Sequence, residues 1–462
     1  MVLSVIVRSR KDAAAVEAMA ERFYRGWGLR VYTLGGVRSA EAMAEAARSI
    51  VEGAPGFYIV LLGREDASKA AAVEAELPLN AVVHVVPRAR VRNARLEMLY
   101  LETLRARARL RLRAAWGGGV YRFDGRGEPL EGFSIEPSYE SFIGVGRFNR
   151  LVARLAGGRV GRNPLVVRAS GGLHLVYNGP RVRARLVVGD EGLRPKAEVV
   201  GGEPVDVDLD SMVGVNKGVI EAYARASREW LRRVGEEFDT IVVPWSGGKD
   251  STAALLLALE AFGRDRVKVV YGDTGVEFPA SRSYVESVAR KLGVEYKVAY
   301  AGIDRKLLEG APMPSHENRW CTGLKIEAIE STIARLAEGR TLIVVGDRDA
   351  ESPRRSDRPP VRPGTREELT VAAPLKPWGG VHVQLYILSR GLPLNPMYEY
   401  GFYRIGCYMC PALRNWELYA MTSSFDLYMK LMRSRIFRMF VSHRLRRSGH
   451  GGGVDGDCGC SI

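Results

Sequence analysis

Glutamine occurs once in this 462-residue chain, at Gln384, and none of the five cysteines lies in the first 320 residues. Sparse, clustered cysteine excludes a disulfide-stapled scaffold and points to metal, cluster or thiol chemistry in the last third of the chain. No apolar run approaches the ~20 residues that a membrane-crossing helix needs, so no membrane partner is expected. The opening Met1-Val2-Leu3-Ser4-Val5-Ile6-Val7-Arg8 lacks the length and flanks of a signal peptide and reads as a first strand, which places the chain in the cytoplasm as an expectation. Scarce glutamine beside abundant charge suggests a thermophilic source. The chain carries 68 Lys and Arg against 53 Asp and Glu, a net charge of +15 that suits anionic partners such as nucleotides or RNA.

The length exceeds one typical domain. Residues 1–116 alternate strand and helix patterns and read as a small accessory α/β domain. It ends in a long basic helix from about Asn93 to Trp116, expected to be amphipathic with a solvated arginine face. Residues 117–213, opening on Gly117-Gly118-Gly119, read as a mixed or β-rich module, in which His174 on its apolar strand is expected to be structural. Residues 214–440 again alternate strands with helices and predict a doubly wound, mostly parallel α/β sheet, with ligand at the carboxyl ends of its strands. Residues 441–462 form a Gly-rich tail that carries Cys458 and Cys460.

Within the third region, the apolar run Thr240 to Trp245 leads into Ser246-Gly247-Gly248-Lys249-Asp250-Ser251 and then a helical stretch. A strand that ends in a Gly-rich polar loop and opens a helix is a phosphate cradle, because backbone N–H groups and the positive end of the helix dipole face the anion. The paired glycines admit close approach, and the Ser hydroxyls and Lys249 add donors. The spacing is not the Walker pattern. It resembles the PP-loop of the adenine-nucleotide alpha-hydrolase superfamily.

Four further motifs follow in order. Tyr271 to Pro279 includes Asp273 and Thr274, and Asn318 to Lys325 includes Cys321. Gly346 to Arg355 holds Arg348, Arg354 and Arg355. Asn395-Pro396-Met397-Tyr398 then precedes Cys407-Tyr408-Met409-Cys410. With the loop, this series resembles the phosphoadenylyl-sulfate (PAPS) reductase family over roughly residues 215–440, and larger archaeal relatives with added N-terminal modules look closer than the plain reductases. Asp273 and Thr274, at a strand end, can meet adenosine or phosphate, while Asp273 can equally cap a helix. Arg348, Arg354 and Arg355 can grip sulfate or phosphate in bidentate fashion. Glu351 and Ser352 are expected to set loop geometry.

The resemblance implies a [4Fe–4S] cluster on Cys321, Cys407 and Cys410, although Trp320 stands where iron-containing members carry a further cysteine. Three outcomes stay open: a three-cysteine cluster, a fourth ligand from Cys458, Cys460 or His316, or zinc. Asp457-Cys458-Gly459 resembles the family's mobile nucleophilic segment. The implied activity is reduction of adenylyl sulfate or its 3′-phosphorylated form, with Cys458 as nucleophile, Lys249 stabilising the leaving phosphate, and Cys460 or a thioredoxin-like donor supplying the second thiol. The alternative is an ATP- and Mg²⁺-dependent sulfurtransferase acting on tRNA. A third reading is a cluster-bearing nucleotide sensor or RNA-binding protein.

Overall fold

The computed structural model describes residues 2–189 and 194–448, so Cys458 and Cys460 lie outside the described residues. Short apolar runs build the first sheet. Its strands lie in the order Arg30–Thr33, Leu3–Val7, Phe57–Leu62, Ala81–Val85, all parallel. Parallel neighbours need crossovers, which the helices Arg10–Phe23, Ala40–Gly53 and Ala70–Ala75 supply. Ser9 and Ser39 start the first two by accepting from the backbone N–H groups of Asp12 and Ala42. Every residue of Phe57–Leu62 is buried, as suits a central strand covered on both faces.

The basic helix, observed as Leu96–Leu112, departs from the expected solvated arginine face. Arginine alternates with Leu and Ala over its second half, which puts charge on every side of the helix, including the side that packs inward. Arg107 and Arg111 are each only 2% exposed. Arg107 pairs with Asp349 at 2.7 Å, donates to the Ser356 carbonyl at 2.9 Å and lies 4.5 Å over the Trp27 ring. Lys376 holds the other Asp349 oxygen at 2.8 Å. Burial opposes ionisation of Asp349, but Arg107 and Lys376 outweigh it and keep its pKa below the usual value. The helix thus clamps the first layer onto a loop 240 residues downstream.

The middle sheet is antiparallel, in the order Lys196–Val199, Val182–Val187, Leu173–Tyr177, Leu165–Arg168, Glu140–Ile143. Phe142, Val166 and Val176 pack in one core with Trp416, Tyr419 and Phe437 from the C-terminal helices. The single glutamine joins the edge strand to helix Gly380–Ser389: Gln384 accepts from the Ile143 N–H at 2.8 Å and donates to its carbonyl at 3.0 Å. His174 is buried with Nδ1 2.8 Å from the Gly172 carbonyl, and burial lowers its pKa to about 3. Its placement within the strand packing is structural.

The third sheet has the order Tyr296–Tyr300, Val267–Asp273, Thr240–Trp245, Thr341–Val344, Leu369–Ala372, Val361–Pro363. All neighbours are parallel except the last pair. This is the doubly wound, mostly parallel α/β arrangement. The chain reverses its direction of strand addition between Thr240–Trp245 and Thr341–Val344, and a crevice opens at the carboxyl ends there. The first and third sheets share one apolar core, in which Phe57 meets Tyr223 edge-on at 4.9 Å and Tyr223 meets Trp378 at 5.7 Å. Among the described residues, no helix is long and apolar enough to cross a membrane.

Candidate active site

The crevice at that reversal holds a cavity of about 260 Å³. Ser246, Gly248, Lys249, Asp250 and Ser251 form one wall, the Gly346–Arg355 loop a second, and the Cys407–Cys410 turn a third. Loop and helix are built tightly. Gly247 has φ +74°, and a Cβ there would meet Val285 Cγ2 at 2.8 Å. Gly248 precedes the helix Lys249–Phe262 as its N-cap. Ser251 Oγ accepts from the Ser246 N–H at 3.2 Å and lies 3.0 Å from Ser246 Oγ, so the loop closes on the first helical turn. The Asn395-Pro396-Met397-Tyr398 motif braces it: Asn395 Nδ2 donates to the Gly247 carbonyl at 3.0 Å, and the Lys249 N–H donates to Tyr398 Oη at 2.9 Å. Gly346 must be glycine for closeness, since a Cβ there would lie 2.6 Å from the Asp250 carbonyl.

A chain of buried charges links this loop to the middle sheet. Lys249 Nζ is 2.8 Å from Asp250 Oδ2, and Asp250 Oδ1 is 2.6 Å from Arg348 Nε. Arg348 Nη1 reaches Glu140 Oε1, whose other oxygen lies 3.3 Å from Arg168. Burial disfavours the charged carboxylates, yet Arg348 and Lys249 pull Asp250 down to about 2, and Arg348 with Arg168 holds Glu140 below its usual value. Arg348, expected to grip substrate, lines the cavity while turning to protein carboxylates. Its side chain is 1% exposed, with Nε on Asp250 and Nη1 on Glu140. It is a strut between two layers, and a buried charge so paired cannot turn to an anion without stranding its partners.

Arg355 lines the cavity but pairs with Glu351 and lies 3.8 Å from Asp347. Arg354 is exposed and outside the cavity wall. Glu351 and Ser352 shape the loop as expected: Glu351 accepts from the Arg348 N–H at 3.0 Å, and Ser352 Oγ accepts from the Arg355 N–H at 3.3 Å. Asp273 also falls outside the cavity wall and caps no helix; its Oδ1 accepts from the Gly275 N–H at 2.9 Å in a local turn. Thr274 lines the cavity, fully buried, with Oγ1 2.5 Å from Glu277 Oε1 and 3.3 Å from Cys407 Sγ. Burial raises the pKa of Glu277 despite the Thr274 bond and nearby Lys325.

Cys321, Cys407 and Cys410 all line the same cavity, the first from the start of helix Trp320–Leu336 and the others from a turn in which the Cys410 N–H donates to the Cys407 carbonyl at 3.1 Å. Three sulfur donors suit an iron–sulfur cluster or zinc chemically. Among the described residues, however, no three His, Cys, Asp or Glu side chains are gathered closely enough to hold a metal ion, and His316 is not in the cavity wall.

Sequence reading missed Glu140, Arg168, Tyr403 and Arg414, all of which face the cavity. The first two come from the middle sheet, where no motif marks them. Arg414 stands four residues after Cys410, a signal only once the turn is placed beside the loop.

Comparison with known proteins agrees with this geometry. Residues 240–413 match the phosphoadenosine phosphosulfate reductase domain. An uncharacterized protein of Methanocaldococcus jannaschii is 35% identical over 214 residues, which is 46% of this chain and 44% of that protein. A second from the same organism is 33% identical over 226 residues, 45% of this chain and 51% of the relative. The matched segment thus spans about half the length of these two relatives. The adenosine 5′-phosphosulfate reductase of Rhodococcus erythropolis is 27% identical over 205 residues, 42% of this chain and 81% of that enzyme. Over residues 240–413, the chain is thus similar to the phosphoadenosine phosphosulfate reductase domain.

Proposed function

We propose that this chain reduces a sulfonucleotide, adenylyl sulfate or its 3′-phosphorylated form, to sulfite. The observation that carries the reading is a single cavity that joins the Ser246 loop to Cys321, Cys407 and Cys410. The name of the Rhodococcus relative supports the same substrate class. The loop's N–H groups and Lys249, exchanging Asp250 for the ligand, hold the nucleotide phosphate. Cys458 thiolate attacks the sulfate sulfur; the sulfur–oxygen bond to phosphate breaks, and AMP or adenosine 3′,5′-bisphosphate leaves with the electron pair. A second thiol, from Cys460 or a thioredoxin-like donor, attacks Cys458 Sγ, forms a disulfide and releases sulfite. Two thiols are oxidised and sulfur is reduced by two electrons.

A [4Fe–4S] cluster, with zinc the other candidate, belongs to the proposal as a group that Cys321, Cys407 and Cys410 would hold by drawing together around it, since they are not gathered closely enough as they stand. Metal and acid-labile sulfide analysis of anaerobically purified protein, beside Cys407→Ser, tests it: iron and sulfide in the parent and their loss in the variant are expected, and an iron-free, zinc-free parent contradicts it. The nucleophile is tested by incubating thiol-free protein with ³⁵S-labelled substrate. Label bound to the parent chain and absent from Cys458→Ser is expected; equal label on both, or none on the parent, overturns the assignment.

A second reading, ATP-dependent sulfur transfer to tRNA, draws on one observation: all three cavity cysteines stand beside the phosphate loop without help from the tail. Its mark is AMP and pyrophosphate formed from ATP and Mg²⁺ only when tRNA is added.

A further inference from the structure

Besides the phosphate loop, the cavity is lined by residues of the middle-sheet strands and of the segment around the Cys407–Cys410 turn. Three side chains from two layers meet the cavity there. Arg168, at the end of strand Leu165–Arg168, uses Nη2 alone: it donates to the Ala350 carbonyl at 2.6 Å and to Glu140 at 3.3 Å. Its Nε and Nη1 make no hydrogen bond among the described residues. Arg414 uses its backbone N–H to reach Glu417, while its guanidinium makes no hydrogen bond or ion pair among the described residues. Tyr403 is 7% exposed, and its buried hydroxyl has no hydrogen-bond partner among the described residues.

A buried hydroxyl without a partner is uncommon and costly, and guanidinium nitrogens left without an acceptor in a cavity are more so. The position of each donor is fixed. The Tyr403 ring stacks on Phe142 at 4.6 Å and lies 5.4 Å from His174. Arg168 and Arg414 both act electrostatically on Tyr403 and on His174, which puts the two guanidinium groups around one spot. The carboxylates nearby do not neutralise them. Glu140 is taken by Arg348, and burial pushes the Glu417 carboxyl toward its neutral form. What remains is surplus positive charge with rigid N–H and O–H donors, which is what a tetrahedral or trigonal oxyanion completes.

We infer that Arg168, Arg414 and Tyr403 form a second oxyanion-binding subsite, so that the middle sheet supplies part of the ligand-binding cavity and the protein holds two anionic groups at once, one on the Ser246 loop and one here. The chemical class is a sulfate, sulfite or phosphate group. The assignment rests on donors and packing, and stands apart from whichever reaction the cavity performs.

The test uses the full chain and calorimetric titration with inorganic sulfate, first alone and then with the protein saturated with AMP. In the parent, AMP-saturated protein is expected to take up one further sulfate. Arg414→Gln and Arg168→Ala are each expected to weaken that second event at least tenfold and Tyr403→Phe about threefold, with AMP affinity changed less than twofold and the thermal midpoint preserved. Arg168→Ala also releases the Ala350 carbonyl, so Arg414→Gln and Tyr403→Phe keep the outcome decisive if that variant folds poorly. Failure of AMP to bind would count against the nucleotide reading alone, and sulfate without AMP would still report the subsite through the same variants. Sulfate uptake unchanged in Arg414→Gln and Tyr403→Phe, or no sulfate bound by the parent under either condition, overturns the subsite.

Discussion

The two arginine-bearing segments that flank the cavity use their charge in opposite ways. In the Gly346–Arg355 loop, Arg348 turns to Glu140 and Asp250 and holds two layers together, while Arg355 turns to Glu351 and Asp347 of its own loop. In the segment after Cys410, the Arg414 guanidinium makes no ion pair with a carboxylate among the described residues. Both are arginines in family motifs or beside them. What separates strut from ligand donor is the carboxylate that another stretch of chain brings to it. Glu140 comes from the middle sheet, more than 200 residues before Arg348, and it decides the role of that arginine.

The strut role is broken most severely at Arg348. Arg348→Met leaves Glu140 and Asp250 as buried, under-compensated carboxylates, and a loss of about 3–5 kcal/mol is expected from urea denaturation. A loss below about 1 kcal/mol, the range of exposed ion pairs, would mean that the strut is solvated. Arg107→Ala is the matched change in the other clamp. It is expected to cost less, about 2–3 kcal/mol, because Lys376 continues to neutralise Asp349 at 2.8 Å. Losses in the reverse order would show that the first layer, rather than the middle sheet, holds the Gly346–Arg355 loop in place.

Acid sharpens the same contrast. Asp250 has a folded pKa near 2, below its usual value, so its contribution to stability is fully present above about pH 4. That contribution is lost as pH falls through the folded value. About 2 kcal/mol is expected to disappear between pH ~4 and ~2 from this group, and the denaturation midpoint of Asp250→Asn is expected to be flatter over that window. An unchanged pH slope in the variant would remove Asp250 from the strut. The smallest effect belongs to Gly247→Ala. Its φ of +74° and the 2.8 Å approach to Val285 make a side chain strained there, and a loss of about 1–2 kcal/mol with weaker nucleotide binding is expected. Calorimetry with AMP and a melting curve check both, and a neutral outcome would show that the loop relaxes.

Legibility from sequence follows the range of the interactions. The third sheet was readable because each strand, loop and helix is local: Thr240–Trp245, the Ser246 loop and the following helix stand in sequence as they stand in space. The three described cysteines could be assigned to one place because motif order carried them. The arginine-rich helix was misread because Arg, Leu and Ala recur on all its faces, and only Asp349 and Ser356, far downstream, select the buried one. Asp273 shows the opposite case: a strand-end aspartate has a backbone N–H two residues away, and its Oδ1 takes that local bond. Glu140 and Arg168 gave no signal, since a charged residue on a short antiparallel strand is ordinary until its partner is known.

The central claim, that the cavity reduces a sulfonucleotide, is met most directly by an anaerobic turnover with purified full chain, dithiol, and adenylyl sulfate or its 3′-phosphorylated form. Sulfite and AMP, or sulfite and adenosine 3′,5′-bisphosphate, released in equal amounts by the parent and not by Cys458→Ser, are expected. Intact protein that binds either nucleotide yet releases no sulfite would contradict the claim.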